Sequence, residues 1–185
     1  MWRPSGRGDV PARHEVLAEG PADRDGVVAE VFDTAYPQLV RLARFLVDDQ
    51  ASAEDVVMEA FTNLYRRWRS LRDPHDAYRY VRSCVLNGAR SQLRRRRVVR
   101  LHAAPGVDPE RVPGRDEFGP SDERADVLSR LRGLPHRQRE VLVLRYYLDL
   151  SEAEIAAELG ISAGSVKTHA SRGLAALATA LEVRP

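Results

Sequence analysis

The sequence predicts an all-α protein in which two small helical bundles are joined by a flexible linker and the second bundle ends in a helix-turn-helix. Apolar residues recur at helical spacing across residues 27–97 and again across residues 122–185, and no alternating strand pattern competes with them. Between these stretches, residues 98–121 contain Pro and Gly without an apolar period, which is typical of a linker. Residues 1–26 are rich in Gly, Pro and charge, and this composition predicts a disordered arm.

The composition favours a soluble globular protein and argues against several other classes. The 185 residues are 43% hydrophobic and 30% charged, with a formal net charge of +2. No apolar run reaches the ~18 residues of a transmembrane helix, and the first residues lack the apolar core of a signal peptide. The single cysteine, Cys84, excludes an internal disulfide and a cysteine-cluster metal site. We therefore expect a cytoplasmic protein with no membrane span.

The first bundle is predicted to contain four helices. Pro37 is expected to begin the second of them, because proline is favoured in the first turn of a helix. Ser52 and Asp55 are expected to cap the third helix, and Asp76 is expected to cap the fourth. The predicted core positions of the third and fourth helices are Val57, Ala60, Phe61, Leu64, Trp68, Tyr78, Val81, Val85, Ala89 and Leu93.

The second bundle begins with two predicted helices whose apolar residues repeat at helical spacing. Pro135 is expected to lie at the start of the second of them. The predicted core positions are Val127, Leu128 and Leu131 on the first helix and Val141, Leu144 and Leu148 on the second.

A helix-turn-helix is predicted from residue 151 onward. Ser151 and Glu154 have the spacing of a capping box, which satisfies free backbone donors at a helix start. Gly160 supplies the left-handed backbone that ends this helix, and Ser162 caps the next one. The second helix would enter a DNA major groove; the alternative is a helical hairpin with a solvated polar face. Its core positions are Val166, Ala170, Leu174 and Leu177, and its candidate DNA-contacting residues are Ser165, Lys167, Thr168, His169, Ser171 and Arg172.

Charge is segregated along the chain. Residues 77–107 contain eight arginines and no acidic residue, whereas acidic residues cluster just upstream. Such segregation indicates two different partners, a polyanion for the basic stretch and another molecule for the acidic one. The run of arginines at 94–97 favours a nucleic acid, because cations that follow a phosphate backbone release its counterions. The alternative is that these arginines only keep the bundle soluble. The acidic residues are Asp48, Asp49, Glu54, Asp55 and Glu59.

The residue patterns argue against catalysis. The five histidines are scattered along the chain, and no two of them have the His-x-x-x-His spacing of a metal site. The chain has no glycine-rich phosphate loop and no nucleophile elbow. We therefore predict no catalytic residue, no metal site, no cofactor and no small-molecule substrate.

Two groups of motifs resemble bacterial RNA polymerase sigma factors. Residues 53–68, Ala-Glu-Asp-Val-Val-Met-Glu-Ala-Phe-Thr-Asn-Leu-Tyr-Arg-Arg-Trp, together with residues 70–74 and 80–94, resemble the second conserved region of that family. Residues 134–146, Leu-Pro-His-Arg-Gln-Arg-Glu-Val-Leu-Val-Leu-Arg-Tyr, and the helix-turn-helix resemble the fourth region. Since no middle region separates them, the sequence is identified as a member of the short extracytoplasmic-function (ECF) subfamily.

The resemblance implies an alternative sigma factor that binds core RNA polymerase and directs initiation at promoter DNA without catalysing a reaction. In this family the acidic helix, here with Asp55, Met58 and Glu59, docks on coiled-coil helices of the largest polymerase subunit. The helix-turn-helix reads the minus-thirty-five element. Many members are held by an anti-sigma factor, although no residue of this sequence identifies one. The residues implied in recognising and melting the minus-ten element are Arg72, Tyr80, Asn87, Arg90 and Arg94.

Two departures from the family pattern affect these assignments, and two other functions compete with them. Met58 stands where the family often has Gln, and His169 stands where it often has Arg.

A helix-turn-helix regulator that acts without being a polymerase subunit would show no binding in a core-polymerase pull-down. An RNA-binding or protein-interaction adaptor would show no promoter-dependent transcription.

Overall fold

The computed structural model describes residues 24–71, 73–102 and 122–182, and every long element in these ranges is a helix. The first bundle consists of α1 (Arg24–Leu46), α2 (Gln50–Arg67) and α3 (Ala77–His102), with two short 3-10 turns between α2 and α3. The second bundle consists of α4 (Asp122–Gly133), α5 (His136–Tyr146), α6 (Glu152–Leu159) and α7 (Ala163–Glu182). Most of the predicted arm, most of the predicted linker and Arg72 lie outside the described residues.

The first bundle has three long helices where the sequence predicted four, because α1 continues through Pro37. The proline ring points to solvent, so the helix tolerates the missing N–H donor on its outer side. Buried residues lie on both sides of it, including Ala35, Leu39 and Leu42. Packing of this continuous apolar face outweighs the local preference for a break at proline.

The start of α2 also differs from the expectation. Asp49 is the N-cap, and its carboxylate accepts hydrogen bonds from the backbone N–H and the hydroxyl of Ser52, each at 2.8 Å. Ser52 and Asp55, the predicted caps, therefore both lie inside the helix. The core face of α2 is confirmed, since Val57, Ala60 and Leu64 are all buried. At the other end of the bundle α3 ends at His102, beyond the predicted boundary at residue 97.

The helix-turn-helix has the predicted local geometry. Ser151 and Glu154 form the full capping box at the start of α6. Gly160 adopts φ 63° and ψ 40°, the left-handed conformation that ends the helix. Ser162 caps α7 by accepting a hydrogen bond from the N–H of Ser165 at 3.1 Å. Two predicted core positions are wrong, however, because Val127 on α4 and Leu174 on α7 are nearly half exposed.

The two bundles pack directly against each other and share one continuous apolar core. The ring of Phe45 on α1 lies 5.0 Å from that of Tyr147, just after α5. The buried guanidinium of Arg139 donates to the carbonyl of Leu46, at 3.3 Å, and to that of Arg132, at 3.0 Å. Because the last carbonyls of a helix have no partner inside it, Arg139 on α5 closes the end of α1.

A glycine allows α7 to approach α5 closely. A Cβ at Gly173 would lie 2.9 Å from Leu142 Cδ1 and 3.3 Å from Gln138 Cβ. We expect Gly173→Leu to lower the free energy of unfolding by about 1 kcal/mol or more, because overpacking outweighs the gain from replacing a helical glycine. Urea denaturation measures the change. Ala175→Leu, at an exposed position of the same helix, is the control, and equal stability of the two variants would contradict the close approach.

Candidate nucleic-acid interface

The outer face of α7 presents polar and basic side chains on a firmly packed helix. Val166 and Ala170 are buried against the rest of the bundle and fix the rotation of the helix. The opposite side is solvent-exposed and carries Lys167, Thr168, Ser171 and Arg172, whereas Ser165 and His169 are partly buried. The structure therefore brings the predicted minus-thirty-five residues together on one helix, with Ser165 and His169 closer to the core side than the other four.

Several polar groups on α7 are held by local contacts. Lys167 Nζ lies 3.6 Å from a Glu152 carboxylate oxygen, so its charge is partly balanced by α6. The hydroxyl of Thr168 donates to the carbonyl of Gly164 at 2.9 Å. The Nδ1 atom of His169 is buried and has no hydrogen-bond partner among the described residues. Packing therefore sets the orientation of this imidazole.

One face of α3 carries most of the residues predicted to recognise the minus-ten element. Ser83, Asn87, Arg90 and Arg94 are three or four residues apart in succession and so share this face. Tyr80 lies one turn before Ser83 and is partly buried, and burial raises the pKa of its phenol. Asn87 and Arg94 are exposed. The remaining predicted residue, Arg72, lies outside the described part of the chain.

Arg90 is occupied by an ion pair between the bundles. Its guanidinium donates to the carboxylate of Glu140 on α5, and it also donates to the Asn87 side-chain oxygen at 2.9 Å. Glu140 is completely buried and accepts a second hydrogen bond from Arg137 at 3.0 Å. Burial opposes ionisation of this carboxyl, but His136 and Arg90 outweigh it and lower the pKa of Glu140 below its usual value. Glu140 is therefore an anion held against α3.

A second carboxylate of the second bundle also faces α3. Glu158 on α6 accepts a hydrogen bond from Arg82 at 2.6 Å and another from the hydroxyl of Ser83. The side chain of Arg82 is 12% exposed and that of Glu158 only 3%. Because desolvated charges are stable only when paired, Arg82 and Glu158 depend on each other. Side chains of α5 and α6 thus cover the part of α3 that contains Arg82, Ser83 and Arg90.

Sequence reasoning missed the two carboxylates that cover α3. A signal for Glu140 existed, since it lies one turn before Leu144 in the apolar pattern of α5 and is flanked by buried residues. A carboxylate at such a position needs a cationic partner, because burying an unpaired charge is costly. No comparable pattern in the sequence marked Glu158, because the polar residues of α6 predict a solvent-exposed face.

The arginines at the end of α3 have different environments. Arg96 binds the carboxylates of Asp48, at 2.9 Å, and Asp49, at 2.6 Å, in the turn before α2. The hydrogen bond to Asp49 is the main cause that raises the pKa of Arg96. Arg96 therefore holds the first bundle together. Arg94 and Arg95 on the same helix are exposed cations.

The acidic face of α2 is exposed, as the sequence predicted for a contact with another protein. Asp55, Met58 and Glu59 are three or four residues apart and all exposed, with Met58 at 48%. Thr62 and Tyr65 continue the same face. The other side of α2 is buried in the bundle, so this face is free for a partner.

The described residues contain neither a candidate metal site nor a candidate membrane-spanning helix. Within residues 24–71, 73–102 and 122–182 no group of three or more His, Cys, Asp or Glu side chains is placed to hold a metal ion. Over these same ranges, each helix is too short or too polar to cross a membrane.

Two family models match the chain, one on each bundle. Sigma-70 region 2 matches residues 31–98, which cover most of α1, all of α2 and most of α3. Sigma-70 region 4 matches residues 124–177, which cover most of α4, all of α5 and α6 and most of α7. The order of the two regions is that expected from the sequence.

Relatives and solved structures agree with these matches. The RNA polymerase sigma-E factor of Streptomyces coelicolor is 34% identical over 84% of this chain and 86% of its own length. The ECF RNA polymerase sigma factor SigL of Mycobacterium tuberculosis is 31% identical over 82% of this chain and 87% of its own.

Two solved structures share the fold at lower identity. The sigma factor RpoE of Bartonella quintana, in complex with the anti-sigma factor NepR, has a TM-score of 0.66 and 22% identity over 88% of this chain and 100% of its own. CnrH, in complex with the cytosolic domain of CnrY, has a TM-score of 0.63 and 24% identity over 88% of this chain and 96% of its own. These two structures show that the fold is shared. The two matched family models and the sequence relatives show that the chain belongs to the ECF subfamily of RNA polymerase sigma factors, which direct transcription initiation.

Proposed function

We propose that this sigma factor uses three separate surfaces: the acidic face of α2 for core RNA polymerase, the α3 face for the minus-ten element and the outer face of α7 for the minus-thirty-five element. The segregation of charge carries this proposal. Asp55 and Glu59 make the α2 face negative, whereas Arg94 on α3 and Arg172 on α7 are exposed cations suited to phosphates.

The relatives support two further parts of the proposed function. Solved structures of similar fold contain sigma factors bound to anti-sigma factors, so an anti-sigma factor is a proposed partner of this chain as well. A cytoplasmic location is proposed because a sigma factor acts on polymerase and promoter DNA. Run-off transcription with core polymerase on a random promoter library tests the function as a whole.

The acidic face of α2 can be tested by charge reversal. We expect Asp55→Arg with Glu59→Arg to weaken binding to core polymerase in a pull-down by tenfold or more, about 1.4 kcal/mol, because two exposed anions become cations. The helix should persist, since both residues lie on its outer side. Glu30→Arg with Asp33→Arg, which makes the same charge change on exposed positions of α1, is the control. Equal pull-down by both variants would show that α2 does not bind the polymerase.

The outer face of α7 can be tested through the salt dependence of DNA binding. We expect Lys167→Ala and Arg172→Ala each to weaken the upstream footprint of the holoenzyme and to reduce the salt slope of binding by about one. Arg130→Ala, which removes a cation from α4 that pairs with Asp126, should leave that slope unchanged. A full footprint with an unchanged slope in either α7 variant would place that side chain away from DNA.

The two environments at the end of α3 predict different effects for neighbouring arginines. Arg94→Ala should weaken binding to minus-ten DNA and reduce its salt slope by about 0.7–0.9, with little change in stability. Arg96→Ala should lower the free energy of unfolding by about 0.5–1 kcal/mol, because the carboxylates of Asp48 and Asp49 lose their hydrogen bonds to Arg96. Fluorescence anisotropy and urea denaturation measure the two effects. The reverse pattern would show that Arg94 is structural and that Arg96 binds DNA.

A further inference from the structure

An anionic side chain lies beside the helix proposed to read the minus-thirty-five element. Glu152 is the first residue of α6, the helix that precedes α7. One of its carboxylate oxygens, Oε1, accepts a hydrogen bond from Arg145 at 3.1 Å, and the other, Oε2, lies 3.6 Å from Lys167 Nζ. The carboxylate therefore joins the end of α5 to the outer face of α7 through one cation on each side.

Packed and capped elements set the position of this carboxylate. Glu152 lies in the first turn of α6, where the partial positive charge of the helix N-terminus favours an anion. The capping box of Ser151 and Glu154 holds that turn. Arg145 lies in the last turn of α5, which is anchored by its buried residues 139–144. Because Arg145 engages one oxygen of Glu152, the other oxygen is left for Lys167.

Lys167 is the most exposed member of this set. Its side chain is 70% exposed, against 31% for Glu152 and 38% for Arg145. A lysine on a helix in the major groove has two kinds of acceptor: phosphates, which every sequence presents, and the guanine O6 and N7 atoms, which identify a base. Because a lysine side chain is a point charge on a flexible stem, it does not choose between them by itself. A neighbouring group must supply the preference.

Glu152 is placed to supply this preference. The lysine ammonium carries several N–H donors, so pairing with one carboxylate leaves others for DNA. A lysine that turned outward to a phosphate would lose the carboxylate, whereas a lysine that stays beside α6 keeps it. Selectivity arises from the contact that is disfavoured as well as from the one that is gained.

We propose that Glu152 is a positioning residue that acts through Lys167 and makes one contact with the minus-thirty-five element selective for guanine. The carboxylate, held by Arg145, keeps the ammonium at the base edges instead of the phosphates. This inference rests on the proposed role of α7 in reading that element. It goes beyond that role because Glu152 is an anion on another helix, and its charge alone would only repel DNA.

The experiment reads the base preference of the holoenzyme at each promoter position. Holoenzyme made from core polymerase and the full chain selects promoters from a random duplex library, and sequencing of the retained duplexes gives the preference. The variants are Glu152→Gln, Lys167→Ala and the two combined. Asp126→Asn, which removes one carboxylate from an ion pair within α4, is the matched control. The salt dependence of binding to a duplex of unrelated sequence is measured for the same set.

Glu152→Gln should lower the preference for guanine about fivefold or more, at the same upstream position at which Lys167→Ala lowers it. It should also bind the unrelated duplex more tightly, with a salt slope steeper by about 0.9, because the released lysine neutralises one more phosphate. The combined variant should show no lower preference than Lys167→Ala alone, as expected when one residue acts through the other. Asp126→Asn should change neither the preference nor the slope.

An unchanged preference in Glu152→Gln, or a loss at a position that Lys167→Ala does not affect, would overturn the inference. A further loss caused by Glu152→Gln in the Lys167→Ala background would also overturn it, since a merely structural effect would persist there. Glu152→Ala, with a strong helix former at the same position, should reproduce the result if the glutamine variant has reduced helical circular dichroism.

The proposed function fails in a different way. If Lys167→Ala and Arg172→Ala both leave every upstream preference intact, α7 does not read the minus-thirty-five element, and the inference about Glu152 fails with it. If these two variants lose upstream preference and Glu152→Gln does not, only the positioning role of Glu152 is wrong.

Discussion

The cost of burying a charge organises the contact between the two bundles. Glu140 is completely buried, and an unpaired carboxylate there would cost several kcal/mol, so its position depends on Arg90, Arg137 and His136. Replacing an ion pair by apolar residues often leaves stability unchanged, and two small helical bundles could meet through leucines alone. The contact between the bundles therefore depends on the charge pairing of Glu140 as well as on apolar packing.

Local signals in the sequence predicted the helices well where each signal lies within one turn. The capping box of Ser151 and Glu154 and the left-handed Gly160 appear where expected, because their hydrogen bonds involve only neighbouring residues. Pro37 shows the limit of this approach, since packing on both sides of it overrides its preference for a helix start. At the start of α2 both Asp49 and Ser52 are residues that can cap a helix. Asp49 is the cap in the structure, and its carboxylate also pairs with Arg96 at the end of α3. Such a distant partner is not visible in a sequence pattern.

The same distinction applies to the candidate site. The exposure of Asp55, Met58 and Glu59 could be predicted from the helical spacing of the apolar residues in α2, because those apolar residues lie on the opposite face of the helix. The state of the arginines on α3 could not be predicted this way. Arg90, Arg94 and Arg96 read alike in the sequence, yet one pairs with the other bundle, one is exposed and one holds the adjacent turn. What separates them is their contact with residues more than forty positions away, which depends on how the bundles pack.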